Sequence, residues 1–340
     1  MLNLNEIYCG NCADLLKQID DESIDMVLTS PPYDNLKAYE GYNFDFKPIA
    51  RELYRVLKPN CVVVWVVGDA VVDGSETGTS FKQALYFKDI GFNIHDTMIY
   101  EKAGAAFPAN RKGARYTQIF EYMFVFSKGK IKTGNLICDK RNRWFGWCNW
   151  GKNSMRKKDG VLQKQDDTKA IPEFSPRNNI WKFSVGAGHS YTGSAAERNL
   201  VKNHPAVFPE NLVRDHILSW SNPGDVVLDP MVGSGTTCKM ALLEDRNYIG
   251  IDISDEYANI ARERMKFVEK DKVAYQQNKI KPPLEGTKDF EMTVDGEKRT
   301  YRKIPAEKLE EVQEAIREWR WIEPGAGIKA KARKKKENGK

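Results

Sequence analysis

Short runs of β-branched and aromatic residues alternate with helix-periodic segments along most of the chain. Ile24–Thr29, Cys61–Val67, Asn93–Tyr100, Phe120–Phe126, Val226–Leu228 and Tyr248–Asp252 read as strands, and a further short one is expected around Ile7. Cys61–Val67 is apolar at nearly every position, as a strand covered on both faces of a parallel sheet must be. Apolar residues three and four apart predict helices over Cys12–Ile19, Lys47–Leu57, Thr79–Ile90 and Tyr257–Val268. Lys58-Pro59 is expected to close the second and Gly91 the third. Strands alternating with helices predict an α/β fold with an open, doubly wound, mostly parallel sheet.

The pattern breaks at Lys128. Residues 128–200 hold only one short strand candidate, Asn179–Phe183, and Gly151–Asp167 reads as a polar loop. Another polar loop, Glu101–Gln118, joins two strands and carries Arg111, Lys112 and Arg115. Past Val268 a β-hairpin is expected around Asp295-Gly296, then an amphipathic helix over Ala306–Trp321 and a basic tail. Composition adds a constraint: the 340 residues carry a net charge of +6, yet residues 128–200 alone hold 15 Lys/Arg against 6 Asp/Glu. That local excess of nine positive charges points to a polyanion partner. Within it, Arg141-Asn-Arg-Trp-Phe-Gly-Trp interleaves basic side chains with tryptophans, and Lys152 follows. Arg and Asn can read base edges, while Trp144 and Trp147 either fill the space of an extruded base or form a local core.

No run of 18 apolar residues occurs and the N-terminus has no basic or apolar leader pattern, so a soluble, cytoplasmic chain without membrane attachment is expected. The six cysteines are scattered; Cys9 and Cys12 form a pair with no second pair or histidine cluster, which argues against a metal. No cysteine follows a proline, so a Pro-Cys nucleophile is absent.

Two stretches carry candidate chemistry. In Val226-Val-Leu-Asp-Pro-Met-Val-Gly-Ser-Gly-Thr-Thr237 a strand ends at Asp229-Pro230, and Gly233, Ser234 and Gly235 form a tight turn leading into a helix from Thr236. Such a turn leaves backbone N–H groups open to a ligand. Cys238 stands where a dinucleotide fingerprint has its third glycine, which favours an adenosine-type ligand without a pyrophosphate. Asp252, at the end of the next strand, is placed to hold a ribose, with its carboxylate expected to bond the ribose alone. The second stretch is Ser30-Pro31-Pro32-Tyr33, where two prolines fix a strand end with its carbonyls outward and an aromatic ring behind. It can accept hydrogen bonds from an exocyclic amine while a flat base stacks on Tyr33. A purely structural turn is the alternative for either stretch taken alone.

Together these motifs resemble the S-adenosylmethionine-dependent DNA amino-methyltransferases, the N4-cytosine/N6-adenine family in its β-type motif order. Ser30-Pro-Pro-Tyr33 is similar to the target-amine motif, Asp229–Gly235 to the cofactor motif, and His204-Pro-Ala-Val-Phe-Pro209 to the segment preceding it. Gly10-Asn11-Cys12 is similar to the N-terminal cofactor segment, although the family more often has Gly-Asp. The resemblance covers about residues 5–130 and 200–265. It implies a Rossmann-like methyltransferase fold with an inserted target-recognition region and a small C-terminal extension. The implied divisions are 1–127 (catalytic half), 128–200 (recognition), 201–268 (cofactor half) and 269–340 (hairpin, helix and basic tail). It implies S-adenosyl-L-methionine as cofactor, held by Asn11, Asp229, Pro230, Gly233, Ser234, Gly235, Thr236 and Asp252. It also implies double-stranded DNA as partner, a flipped base at Ser30–Tyr33, a cognate restriction endonuclease or none, and a monomer or homodimer. Ser rather than Asp before Pro-Pro-Tyr tilts the product slightly towards N4-methylcytosine over N6-methyladenine. A non-catalytic DNA-binding protein retaining the fold is the alternative of another class.

Overall fold

The structure is a computed structural model that describes residues 2–32, 44–103, 116–143, 145–146, 154–164, 170–184, 195–201, 207–280, 287–294 and 297–305. In chain order the elements are β1 (Glu6–Cys9), α1 (Cys12–Leu15), β2 (Ile24–Thr29), α2 (Phe46–Val56), β3 (Leu57–Val67), the short pair β4 (Val71–Val72) and β5 (Ser75–Glu76), α3 (Thr79–Asp89), β6 (Asn93–Ala103) and β7 (Phe120–Ser127). Then follow β8 (Lys140–Arg141), β9 (Ser154–Arg156), β10 (Leu162–Lys164), β11 (Phe174–Ser175), β12 (Ile180–Ser184), α4 (Ala195–Val201) and α5 (Glu210–Trp220). The last are β13 (Val226–Asp229), α6 (Thr236–Leu243), β14 (Asn247–Asp252), α7 (Asp255–Ile280), β15 (Thr287–Val294) and β16 (Glu297–Pro305). Two compact units result, Met1–Lys272 and Val273–Lys340.

The first unit is built on an eight-stranded sheet in the order β1-β14-β13-β2-β3-β7-β6-β12. Neighbours are parallel except where β7 lies between β3 and β6, pairing antiparallel with both. Val62–Val67 are buried throughout, as the apolar run requires, and Trp65 packs with Phe87, Phe92 and Phe126 beneath α3. Phe87 and Phe126 stack with centroids 4.4 Å apart. Each such fully buried ring contributes roughly 1.5–3 kcal/mol.

Several boundaries differ from expectation for local physical reasons. The helix from Phe46 ends at Val56, and Lys58-Pro59 belongs to β3 instead of closing a turn. Leu57 is already extended, and Pro59 keeps Lys58 before it out of the α region, so the chain passes from helix straight into strand. The first helix stops at Leu15 and tightens into a 3₁₀ turn over Leu16–Gln18. The helix from Asp255 runs on to Ile280, well past Val268. Gly151–Asp167 is not loop throughout, since β9 and β10 pair as a hairpin with Arg156 opposite Leu162. The strand candidate near Asn179 is β12, which adds a parallel edge strand to the main sheet beside β6. In the second unit β15 and β16 form the antiparallel hairpin anticipated around Asp295-Gly296. The helix expected over Ala306–Trp321 lies outside the described residues.

Candidate active site

The chain leaves β2 for β3 on one side of the sheet and leaves β13 for β14 on the other, so β2 and β13 flank the point where the winding reverses. Open α/β sheets bind ligands outside the carboxyl ends of strands at such a point. Here those ends are joined chemically. Thr29 Oγ1 donates to Asp229 Oδ1 at 2.7 Å, a buried bond between residues 200 apart in sequence. Met231 N donates to the same oxygen at 3.1 Å. Burial pushes the Asp229 carboxyl up to about 6, against the pull of its hydrogen bonds from Thr237, Thr29 and Met231. Ser30 and Pro31 follow Thr29 directly, Pro31 buried and Ser30 half-buried, so the Ser-Pro-Pro-Tyr motif starts where the Asp229–Gly235 turn is anchored. Tyr33 lies outside the described residues.

The glycine turn depends on residues without side chains. Gly233 and Gly235 take φ of 50° and 82°, left-handed values that other residues rarely adopt. Gly235 caps α6 with no side-chain hydrogen bond to the first turn, the open helix N-terminus that the sequence predicts. A Cβ at Gly235 would lie 3.0 Å from Ala261 Cβ and 3.2 Å from its Cα, so glycine also lets α7 pass close behind. Pro230, Ser234 and Thr236 are buried within the same turn.

Asp252 corrects one expectation. Its carboxylate does not have the ribose as sole partner: Oδ2 accepts from Gly233 N at 2.8 Å and Oδ1 from Ser254 N at 2.9 Å. It therefore clamps the glycine turn to the end of β14, with lone pairs left for a ligand hydroxyl. Burial raises its pKa, opposed by those backbone bonds. Asn11 reaches the same corner, because Gly10 N donates to Asp252 O at 2.8 Å. The Asn11 side-chain oxygen caps α1, accepting from Ala13 N at 2.9 Å. Asp69, just past the end of β3, caps α3: it accepts from Ser80 N at 2.9 Å and from the Ser80 hydroxyl.

Of the expected DNA contacts, Arg111, Lys112, Arg115, Trp144, Trp147 and Lys152 lie outside the described residues. Arg141 and Arg143 are exposed, and Arg141 Nη2 stands 3.7 Å from Glu173. Asn142 is engaged within this region, its amide donating to Pro172 O at 2.8 Å and accepting from Ser175 at 3.0 Å. The β9–β10 hairpin, by contrast, holds Arg156, Lys157 and Lys158 fully exposed. Arg177 fastens this region to the sheet by bonding Asp139 and the buried Asp215 of α5 and lying 5.1 Å from the Trp181 ring. The sequence reading also missed Thr29 and Thr237, and four buried charges behind the turn: Glu197, Glu210, Lys239 and Arg264. Nothing in their spacing signals that they meet.

Burial pushes the thiols of Cys9, Cys12, Cys61 and Cys238 up, Cys12 to about 12, so none of them is poised as a nucleophile. Among the described residues no group of three or more His, Cys, Asp or Glu could hold a metal ion, and no helix is long and apolar enough to cross a membrane.

A doubly wound sheet with one antiparallel strand, a glycine turn after one strand and an acid ending the next defines a Rossmann-like methyltransferase. A family model described as DNA methylase, of the N6/N4 methyltransferases, matches residues 24–263. The chain is similar to the orphan methyltransferase M.BamHII of Bacillus amyloliquefaciens, 54% identical over 250 residues that cover 74% of this chain and 91% of the relative. It is 29% identical to the type II methyltransferase M.HpaI of Haemophilus parainfluenzae, covering 76% and 73% of the two chains. Among solved structures, PvuII DNA methyltransferase (cytosine-N4-specific) shares the fold, with a TM-score of 0.57 at 23% identity, covering 80% of this chain and 91% of that one. The chain belongs to the N6/N4 DNA methylase family. It is a DNA methyltransferase acting on an exocyclic amine, cytosine N4 or adenine N6, with S-adenosyl-L-methionine as methyl donor.

Proposed function

We propose that the protein methylates N4 of a cytosine flipped out of duplex DNA. The observation that carries the site assignment is the buried Thr29–Asp229 hydrogen bond of 2.7 Å, which fixes Ser30-Pro31 beside the cofactor turn. When bound there, S-adenosylmethionine supplies a methyl group activated on a sulfonium sulfur. The open turn at Gly233–Thr236, the Asp252 carboxylate and Asn11 form a cradle of hydrogen-bonding groups suited to its amino-acid and adenosine ends. The Ser30 hydroxyl and Pro31 carbonyl accept hydrogen bonds from the target amine. This draws the nitrogen lone pair out of conjugation with the ring and aims it at the methyl donor. No covalent enzyme intermediate is needed, so catalysis rests on positioning and electrostatics. Tyr33 stacks on the flipped base.

Cytosine is favoured over adenine because a serine hydroxyl, not a carboxylate, precedes Pro-Pro-Tyr, and because the PvuII neighbour is titled cytosine-N4-specific. Adenine N6 is the second reading, kept by a family that holds both. Nucleoside mass spectrometry of DNA from cells expressing the protein decides between them: N4-methylcytosine is expected, and N6-methyladenine alone overturns the preference. Residues 128–200, with Arg141, Arg143 and Trp144 and Trp147, form the recognition region, joined by Arg111, Lys112, Arg115 and Lys152 on phosphates. We assign the chain to the cytoplasm as a monomer or homodimer. The orphan name of the 54% relative supports activity without a partner endonuclease. Failure to bind S-adenosylmethionine in calorimetry would leave a non-catalytic DNA-binding protein.

A further inference from the structure

Behind the cofactor turn lie two acids and two bases, all with side chains at most 2% exposed. Glu197 of α4 and Glu210 of α5 come from chain before the turn; Lys239 of α6 and Arg264 of α7 come from chain after it. Lys239 Nζ bonds Glu197 at 2.6 Å and Glu210 at 2.8 Å. Arg264 bonds Glu197 through Nε at 2.8 Å and Glu210 through Nη2 at 2.7 Å. Its remaining arm, Nη1, donates to the Ser234 carbonyl at 3.0 Å and to Thr236 Oγ1 at 2.9 Å.

Such a quartet is a poor way to gain stability. Each buried ion carries a desolvation cost, and well-packed apolar residues of the same volume often do as well or better. What it provides is position. Gly233 and Gly235 have no side chains with which to hold the turn, and the Ser234 carbonyl between them is gripped by a guanidinium whose other arms are locked by carboxylates. A planar fork with fixed donors suits that task, and a lysine does not.

We propose that Arg264, braced by Glu197, Glu210 and Lys239, is a positioning residue for the cofactor turn. It fixes the Ser234 carbonyl, and with it the direction of the N–H groups entering α6, and so sets the affinity for S-adenosylmethionine. The proposal rests on that turn being the cofactor site, and wild-type binding of S-adenosylmethionine checks this in the same titration; its absence overturns both. Arg264→Lys keeps the charge and loses the fork. Its Kd and KM for S-adenosylmethionine should rise roughly ten- to a hundredfold, with duplex affinity unchanged and unfolding still cooperative above the assay temperature. Glu197→Gln keeps shape and an acceptor oxygen, and should shift the same constants in the same direction by less. A merely structural role predicts a lower Tm with cofactor affinity untouched. That result in either folded variant overturns the proposal, and if Arg264→Lys does not fold, Glu197→Gln alone decides it.

Discussion

Single side chains at this site do two things at once. Asp252 holds both the turn, through Gly233 and Ser254, and the place where a ribose is proposed to lie. Asp252→Ala should therefore weaken S-adenosylmethionine binding by more than the tenfold or so that one charge-assisted bond would cost, while duplex binding survives. Calorimetry checks this, and unchanged affinity would make the carboxylate purely structural. Ser30→Ala should lower kcat with little change in the cofactor KM, because it removes an acceptor from the amine alone; full activity would leave the Pro31 carbonyl as the sole acceptor. His216 gives a pH dependence of the fold. Its ring is buried against Trp181, accepts from Trp220 Nε1 at 3.3 Å, and burial, with the Arg177 charge, lowers its pKa from 6.5 to about 3. A lowered histidine stabilises the fold above its unfolded pKa. This contribution is lost as pH falls from about 6.5 towards 3, at up to about 1.4 kcal/mol per pH unit. Asp229 acts with the opposite sign: raised to about 6, its contribution is present below its ordinary 3.8 and lost as pH rises through 6. His216→Gln should flatten the fall of the urea midpoint in acid, and an unchanged profile would assign acid unfolding elsewhere. The placement of Ser30 and Asp252 at strand ends is legible in sequence because each follows a β-branched run and sits beside a turn signal. Thr29 is not, because a threonine closing a buried strand looks like ordinary β-propensity until its partner two hundred residues away is known.

Elements were legible where one periodicity governed them. Cys61–Val67 and the helices over α2 and α3 follow from apolar spacing, although β3 starts four residues early at Leu57 and each helix ends one residue short. The β9–β10 hairpin was not, because among its described side chains no buried face imposes alternation: Val161 and Leu162 are exposed beside Arg156 and Lys157. The approach of α7 behind the turn was equally hidden. Gly235 reads as a flexible turn residue, yet its left-handed φ and the mere 3.0 Å that a Cβ there would leave to Ala261 Cβ make it a spacer between the turn and α7. Gly235→Ala should cost roughly 1–3 kcal/mol and lower Tm by several degrees, with a weaker cofactor grip. A variant with the wild-type Tm would mean that α7 yields easily.

For the whole molecule, charge and connectivity matter more than any one contact. The basic tail carries seven Lys/Arg in the last twelve residues, and deleting 325–340 should reduce the slope of log K against log salt for duplex DNA. The methylated sites should stay the same, since phosphate contacts carry no base information; altered sites would make the tail part of the reader. The charge quartet belongs to this scale too. Its members are spread over residues 197 to 264 on four helices, a meeting that no local pattern can announce.

The main sheet is wound so that β1, the first strand, pairs with β14, the last, while Thr29 clasps Asp229 at its middle. The two motifs thus meet only in the folded state, whatever order the ribosome makes them in. Two separately translated pieces, one ending and the other starting between β12 and α4, should find each other and restore methylation when made in one cell. For a gene of this kind, a break between its halves need not silence it, provided both halves are still read.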